Sequence, residues 1–234
     1  MAGLCAGFVT GVLHTILKIP ALLAGILTMT ALYSINIRIM QGAANIPLLR
    51  VRTVFTVFTD LGMSRNLATL LMGLICVIIV LCIVYWFYAT ETGAAIRATG
   101  SNAAMAVAQG INTKAHLILG LVISNGLVAV SGALIAQHLG FADVQMGIGA
   151  IVIGLASLIM GEALFIRRST RNILHAMVLG AVLYRIVIAF VLELGMPATD
   201  LRLFTAITVA AALCIPNIKK KLGGLSNVKN RRSQ

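Results

Sequence analysis

Three charged side chains in the apolar second half of this 234-residue chain have types and positions that could do chemistry. Arg185 lies within the otherwise uncharged run 172–192, Glu193 follows it, and Glu162 comes directly after the preceding apolar run. Eight residues of helix rise about 12 Å, so Arg185 and Glu193 would lie on nearby faces of one helix. At the centre of a membrane a charge costs about 2.5–3.5 kcal/mol on insertion scales, and it usually faces a bundle interior or a water-filled path. Arg185 therefore has three candidate roles: a buried pair with a carboxylate or with carbonyls, attraction of a substrate carboxylate, or a side chain that extends to the membrane surface.

Motifs for hydrolytic, nucleotide-binding or metal chemistry are absent from the sequence. It contains no GxxxxGK[ST], HExxH or GxSxG, and no pair of carboxylates at a catalytic spacing. The cysteines, at positions 5, 76, 82 and 214, lie in apolar runs without a CxxC motif and are expected to pack as small hydrophobic residues. We therefore predict that the chain is not an enzyme, with no catalytic residue, cofactor or metal site.

The composition places the chain in a membrane. Hydrophobic residues make up 60% of it, charged residues only 10%, and the mean hydropathy is +1.03. A membrane-spanning helix needs about 20 apolar residues. Seven runs approach or exceed this length: 1–17, 19–37, 66–90, 115–142, 144–161, 172–192 and 203–218. The first lacks a preceding basic residue, so it is not a cleavable signal peptide. We predict an all-α, polytopic transmembrane helical bundle over residues 1–218, with about seven spans.

The positive charges predict the orientation of these spans. Twelve of the 18 Lys and Arg residues fall on one side, which is therefore predicted to be cytoplasmic: Lys18, Arg97, Lys114, Arg167, Arg168, Arg171, Lys219, Lys220, Lys221, Lys229, Arg231 and Arg232. The basic tail 219–234 is then cytoplasmic and can lie against anionic lipid. Because topology explains most of the net charge of +12, nucleic acid is not an expected partner.

Two polar segments interrupt the apolar runs. The segment 89–114 is Gly- and Ala-rich and is predicted to be a cytoplasmic loop that contains a short helix over 101–109, with Asn102 near its start and Gly110 at its end. The segment 41–65 alternates polar and apolar residues and is too charged to span. It is predicted to be an outer loop, either an interfacial element held by Phe55 and Phe58 or part of a platform for an extracellular partner.

Glycine spacing within the spans predicts close helix packing. Gly3, Gly7 and Gly11 recur every four residues and so share one helical face, as in the small-xxx-small pattern of membrane helices. Gly154 has a second interpretation, because a glycine within an apolar run can also mark a broken helix beside a transport pathway.

Several sequence blocks resemble one transporter family. The stretch Arg97-Ala-Thr-Gly-Ser-Asn102, followed by Gly110-Ile111-Asn112, is similar to the cytoplasmic coupling segment of permease subunits of ATP-binding-cassette importers of the branched-chain amino acid and ribose type. Further blocks resemble the subfamily of tryptophan and tyrosine transport permeases: LLAGILTMTALYSINIRIM at 22–40, GEALF at 161–165, LGAVLYRIVIA at 179–189 and DLRLFTAI at 200–207.

This resemblance implies a set of partners and a set of coupling residues. Two permease subunits, here a homodimer, would form the path in a bacterial plasma membrane, a cytoplasmic ATPase would bind the coupling helix, and an extracellular or periplasmic binding protein would deliver an amino acid. The residues implied to couple to the ATPase are Arg97, Gly100, Ser101, Asn102, Ala104, Gly110 and Ile111. The resemblance also implies that about two membrane segments of the family would precede the first residue of this sequence.

Two other classes of function are also compatible with the residues. One is an ion-coupled carrier or a small channel, and the other is a structural membrane subunit without a pathway. Ion-coupled carriers tend to bury several carboxylates, whereas this chain has six Asp and Glu residues in all, and none is clearly within the membrane. The composition therefore favours a permease driven by a separate ATPase.

Overall fold

The computed structural model describes residues 1–48, 51, 53–56, 62, 64–147, 150–164 and 170–193. These residues belong to two compact units, Met1–Met146 and Gly147–Gln234, which we describe separately. The first unit contains α1 (Ala2–Thr15), α2 (Ala21–Ile39), β1 (Asn45–Pro47), α3 (Arg65–Ala89), α4 (Glu91–Ser101), α5 (Ala103–Ala108), α6 (Thr113–Leu139) and β2 (Phe141–Asp143). The second contains α7 (Ala150–Leu164) and α8 (Thr170–Glu193).

Most of the predicted apolar runs are helices. Four stretches are long and apolar enough to cross a membrane: Ala21–Ile39, Asn66–Ala89, Thr113–Leu139 and Ile173–Phe190. Two further apolar helices, α1 and α7, are shorter, at 14 and 15 residues. The predicted helical membrane bundle is thus confirmed. The count of seven spans stays a prediction, because the run 203–218 and the tail 219–234 lie outside the described residues.

The glycine face of α1 packs against α6. A β carbon on Gly7 would lie 2.5 Å from the carbonyl oxygen of Leu121, and one on Gly11 would lie 3.0 Å from Cα of Ile118. At Gly3 it would meet the side chain of Ala129. The partners run down α6 as the glycines run up α1, so the two helices are antiparallel. The close packing predicted from the four-residue spacing is confirmed, since the missing side chains let the two backbones approach.

A pair of hydroxyl groups joins α1 to α2. The hydroxyl oxygens of Thr10 and Thr28 lie 2.9 Å apart, and both residues are buried. The Thr28 hydroxyl also donates to the carbonyl of Ala24 at 3.0 Å. Polar side chains that bond across helices in this way stabilise membrane bundles, because the hydrocarbon offers them no other partner.

In the second unit, α7 and α8 form an antiparallel hairpin. The contact is made by small residues, with Ala156, Gly161, Ala176 and Gly180 all buried. The helix α7 continues through Gly154, where an added β carbon would meet nothing within 4 Å. Gly154 therefore lies within a continuous helix, and the broken helix considered from the sequence is not present there.

A small antiparallel sheet was not predicted from the sequence. β1 pairs with β2 so that Ile46 lies opposite Ala142, and the amide of Leu48 donates to the carbonyl of Gly140 at 2.8 Å. The span predicted over 115–142 is therefore too long at its end: α6 stops at Leu139, and Gly140 turns the chain into β2 with a φ of +80°. The sheet lies at the C-terminal end of α6, and we call this end of the first unit the sheet end. The 27 residues of α6 rise about 40 Å, so the sheet end lies far from the N-terminal end of α6, where α4 and α5 lie.

Candidate functional site

The polar segment between α3 and α6 is more ordered than the sequence suggested. Instead of a loop with one short helix, it contains two consecutive helices, α4 and α5. Thr90 begins α4, because its side-chain oxygen accepts a hydrogen bond from the amide of Gly93 at 3.3 Å. α4 packs on both α3 and α6, and its residues Gly93 and Thr99 are buried. Tertiary packing of this kind stabilises a helix whose Gly and Thr content gives it little propensity of its own.

Gly93 and Arg97 form the joint between α3 and α4. A β carbon on Gly93 would lie 2.6 Å from Cα of Tyr88, so only glycine lets the two helices meet this closely. Nη2 of Arg97 donates to the carbonyl oxygen of Tyr88 at 3.0 Å, and its guanidinium lies 5.9 Å from the centre of the Tyr88 ring. A cation at this position stabilises the exposed carbonyls at the end of α3. The sequence did not single out Gly93, because Ala94 and Ala95 beside it are also small and the segment therefore carries no distinct glycine pattern.

The short helix α5 is capped by the two residues that the sequence predicted, Asn102 and Gly110. Oδ1 of Asn102 accepts a hydrogen bond from the amide of Met105 at 3.0 Å, as an N-cap does. At the other end Gly110 has a φ of +79°, its amide donates to Val107, and the amide of Ile111 donates to Ala106 at 3.0 Å. These two bonds are those of a Schellman motif. The predicted start is wrong by two residues, because residue 101 belongs to α4.

α5 is held by one side chain and exposes the others. Ala106 is buried at 2% exposure, whereas Met105 and Val107 expose 62% and 59% of their surface. Ala104, which directly precedes Met105, is also exposed. Large apolar side chains on a short helix outside the apolar spans form a surface that can pack into a groove on another protein. None of the described residues of the first unit covers this surface.

The coupling residues implied by the sequence resemblance cluster around α5. Gly100, Ser101, Asn102, Ala104 and Gly110 are exposed, and Ile111 is half-buried. They surround a helix that connects to the membrane spans through α4, where Ile96 lies 3.7 Å from the position of a β carbon on Gly120 of α6. Contacts therefore run from α5 through α4 to α6 and on to α1.

Arg185 belongs to the second unit, on α8. Because α7 and α8 are antiparallel and Gly161 faces Ala176, Glu162 falls at the level of residue 175, ten residues or about 15 Å along the axis from Arg185. Arg185 and Glu193 are both exposed, and the side chain of Glu162 lies outside the described residues. This register makes Glu193 the nearer carboxylate along the axis within one chain, and the ion pair itself stays a prediction.

Metal binding has no candidate in the part of the chain that the structure describes. There, His, Cys, Asp and Glu side chains form no group of three or more that could hold an ion. The described side chains of the α4–α5 segment form an exposed apolar surface around Met105 and Val107.

Comparison with known proteins identifies the family. Residues 1–215 match the family described as the permease component of branched-chain amino acid transport systems. The chain belongs to this family. A tyrosine transport system permease protein of Clostridioides difficile (strain R20291) is 42% identical over 222 residues, which cover 95% of this chain and 72% of that protein. An uncharacterized protein of Rickettsia prowazekii (strain Madrid E) is 30% identical over 217 residues, which cover 91% of this chain and 75% of that protein. No solved structure matches.

Membership of this permease family confirms the resemblance seen in the sequence. The protein is a multi-pass membrane permease subunit of an ATP-binding-cassette importer for amino acids. Permeases of this family work with an ATPase and with a substrate-binding component. The ion-coupled carrier, the small channel and the structural subunit considered above are thereby set aside.

Proposed function

We propose that this permease moves aromatic amino acids inward across a bacterial plasma membrane, as one of two identical permease subunits. The name of the Clostridioides difficile relative, at 42% identity over nearly the whole chain, supports tyrosine as one substrate. The observation that carries the mechanism is α5, a helix anchored by one buried alanine and exposing Met105 and Val107. Such a helix fits the role of an ATPase-docking element.

The docking surface is built from α5 and the residues beside it. Ala104, Met105 and Val107 provide the apolar contact, and small residues such as Ala104 let the ATPase groove approach the helix closely. Asn102 and Gly110 fix the two ends of α5 through their caps, so that the surface is presented in one conformation. Gly100, Ser101 and Ile111 flank it, and Arg97 acts through the joint between α3 and α4. ATPase movement would reach the spans through the contact of α4 with α6.

Charge and aromatic residues support the orientation. The end with α4 and α5 is on the side predicted to carry twelve of the 18 Lys and Arg residues, and this bias supports a cytoplasmic position for that end and for the C-terminus. Tyr85 and Trp86, at the last turns of α3, expose 49% and 70% of their surface. Aromatic side chains of this type are enriched at membrane–water interfaces, which fits an interface at the end of α3. The sheet end then faces outward, toward the binding protein.

Reconstituted transport tests this proposal. The permease is assembled in liposomes with the ATPase and the binding protein of its own transport system, and uptake of radiolabelled tyrosine is measured with and without ATP on the ATPase side. We expect ATP-dependent accumulation that excess phenylalanine or tryptophan reduces and that leucine or ribose leaves unchanged. Accumulation of leucine with the same KM as tyrosine would contradict the aromatic assignment, and accumulation independent of ATP would contradict the mechanism.

A further inference from the structure

A cavity lies at the sheet end of the first unit, at the opposite end of α6 from the docking surface. Its volume is about 290 Å³, and it lies between the sheet, the turn 53–56, the start of α3 and the end of α6. The described residues that give it chemical character are Thr53, Phe55, Thr56, Thr69, Gln137 and His138. All of them lie on the predicted outer side of the permease.

Hydrogen bonds hold the walls of this cavity in place. The sheet closes one side through the bond from the Leu48 amide to the Gly140 carbonyl at 2.8 Å. The turn is tied to the end of α6 by the Val54 amide, which donates to Oε1 of Gln137 at 3.0 Å. Backbone bonds and a side-chain bond that spans 83 residues of sequence fix the position of the cavity within the first unit. The cavity is therefore pre-formed, as small-molecule sites usually are.

The lining combines an aromatic wall with uncharged polar groups. The rings of Phe55 and His138 lie 6.0 Å apart between centres, with their planes tilted by 57°. Three threonines and Gln137 add hydroxyl and carboxamide groups. Among the described lining residues there is no Asp, Glu, Lys or Arg. The described lining thus offers hydrogen-bonding groups and rings without a formal charge, which suits a molecule of zero net charge with a planar apolar part.

We infer that this cavity is an outer acceptor site of the permease for one neutral amino acid with an aromatic side chain, an inference that rests on the proposed function. The aromatic side chain packs against Phe55 and His138. The ammonium group donates to threonine hydroxyl oxygens, because the Thr56 hydroxyl already donates to the carbonyl of Thr53 at 2.7 Å and keeps only its acceptor capacity. The carboxylate accepts from the carboxamide nitrogen of Gln137, whose Oε1 already accepts from the Val54 amide. The volume of about 290 Å³ lies just below the range of about 300–1,000 Å³ that small-molecule pockets occupy, which suits a ligand as small as a single amino acid.

Direct binding to the purified permease tests the site without the other subunits. Equilibrium dialysis of the full chain in lipid nanodiscs measures the Kd for tyrosine and for leucine. The variant Phe55→Leu keeps an apolar side chain of similar size but removes the ring. Because an aromatic pair contributes beyond its buried area, we expect the Kd for tyrosine to rise by about two- to tenfold and the Kd for leucine to stay unchanged. Phe8→Leu is the matched control, since Phe8 lies on α1, is 55% exposed and does not line the cavity.

The outcomes separate this site from the proposed function. Equal tyrosine affinities of Phe55→Leu and Phe8→Leu, an equal loss for tyrosine and leucine, or no saturable binding of tyrosine to the parent would each overturn the acceptor site. If ATP-driven tyrosine uptake is intact and the KM of Phe55→Leu matches that of the parent, the acceptor site fails and the proposed function stands. If the parent binds tyrosine with the expected dependence on Phe55 but shows no ATP-driven uptake, the proposed function fails instead. A thermal unfolding scan of each variant confirms that the comparison is made on folded protein.

Discussion

Gly161 of α7 and Gly180 of α8 face each other so closely that neither position has room for a β carbon. On Gly180 that atom would lie 2.7 Å from the backbone nitrogen of Gly161 and 2.8 Å from its Cα. On Gly161 it would meet the carbonyl group of Ala176. Backbone atoms cannot move aside as the end of a flexible side chain can. The α7–α8 hairpin therefore depends on these two glycines.

Gly180→Ala is expected to destabilise the second unit. Overpacking a closely packed contact costs about 1–3 kcal/mol, and here the clash is with backbone. The measurement is the midpoint of thermal unfolding in detergent. Gly154→Ala is the control on α7, where nothing lies within 4 Å, and it should be neutral or slightly stabilising because alanine favours a helix. Equal midpoints for the two variants would contradict the close contact.

A second glycine pair tests the joint between α3 and α4. Gly93→Ala places a β carbon against the backbone of Tyr88, whereas Gly100→Ala on the same helix meets nothing within 4 Å. We expect Gly93→Ala to increase the rate of limited proteolysis in the α4–α5 segment several-fold, because α4 is displaced from the end of α3. Gly100→Ala should leave the rate at the parent level. Equal cleavage rates for the two variants would contradict the close contact between Gly93 and Tyr88.

The docking role of α5 predicts the effect of a charge at Ala104. Ala104→Glu should reduce the amount of ATPase that co-purifies with the permease by at least about tenfold, because an apolar groove would have to bury a carboxylate. Membrane insertion should be unchanged, since the residue is exposed. Ala43→Glu places the same charge on an exposed residue at the sheet end and should retain the ATPase. An unchanged amount of ATPase with Ala104→Glu would refute the docking helix.

Labelling of single cysteines tests the orientation. In a variant without the cysteines at 5, 76, 82 and 214, Ala43→Cys should react with a membrane-impermeant maleimide in intact cells. Ser101→Cys should react only after the membrane is permeabilised. Both positions are exposed, so in cells that lack the ATPase their accessibility depends on the side of the membrane alone. The reverse pattern would place α5 outside and would remove the argument for ATPase docking.

Arg185→Leu distinguishes the three roles of this arginine. If Arg185 pairs with Glu193, the variant leaves a carboxylate without its partner. Where a second subunit buries that pair, the free energy of unfolding should fall by about 3–5 kcal/mol. The double variant Arg185→Leu with Glu193→Gln should then be at least as stable as the less stable of the two single variants, because the effects of two paired residues are not additive. If Arg185 instead attracts the solute, thermal stability should be retained and uptake lost. A variant that is both stable and fully active would assign Arg185 to the membrane surface.

Local sequence was sufficient to predict the four described spans and the two capping residues of α5. Apolar runs longer than about 17 residues have few alternatives to a membrane helix, because every backbone polar group must be bonded within the segment. The caps of α5 are equally local: Asn102 bonds to an amide three residues away, and Gly110 supplies a backbone conformation that other residues avoid. The spacing of Gly3, Gly7 and Gly11 also predicted a close helix contact, though not its partner.

Contacts between distant residues depended on the tertiary structure. β1 pairs Asn45 with Asp143, and neither three-residue strand carries a pattern of its own strong enough to predict it. α4 forms where the composition suggested a loop, because packing on α3 and α6 supplies stability that intrinsic helix propensity does not. The partner of each glycine, α6 for Gly7 and Gly180 for Gly161, is likewise a property of the folded chain. A sequence pattern specifies which face of a helix can be approached, whereas the geometry of the whole fold decides which backbone approaches it.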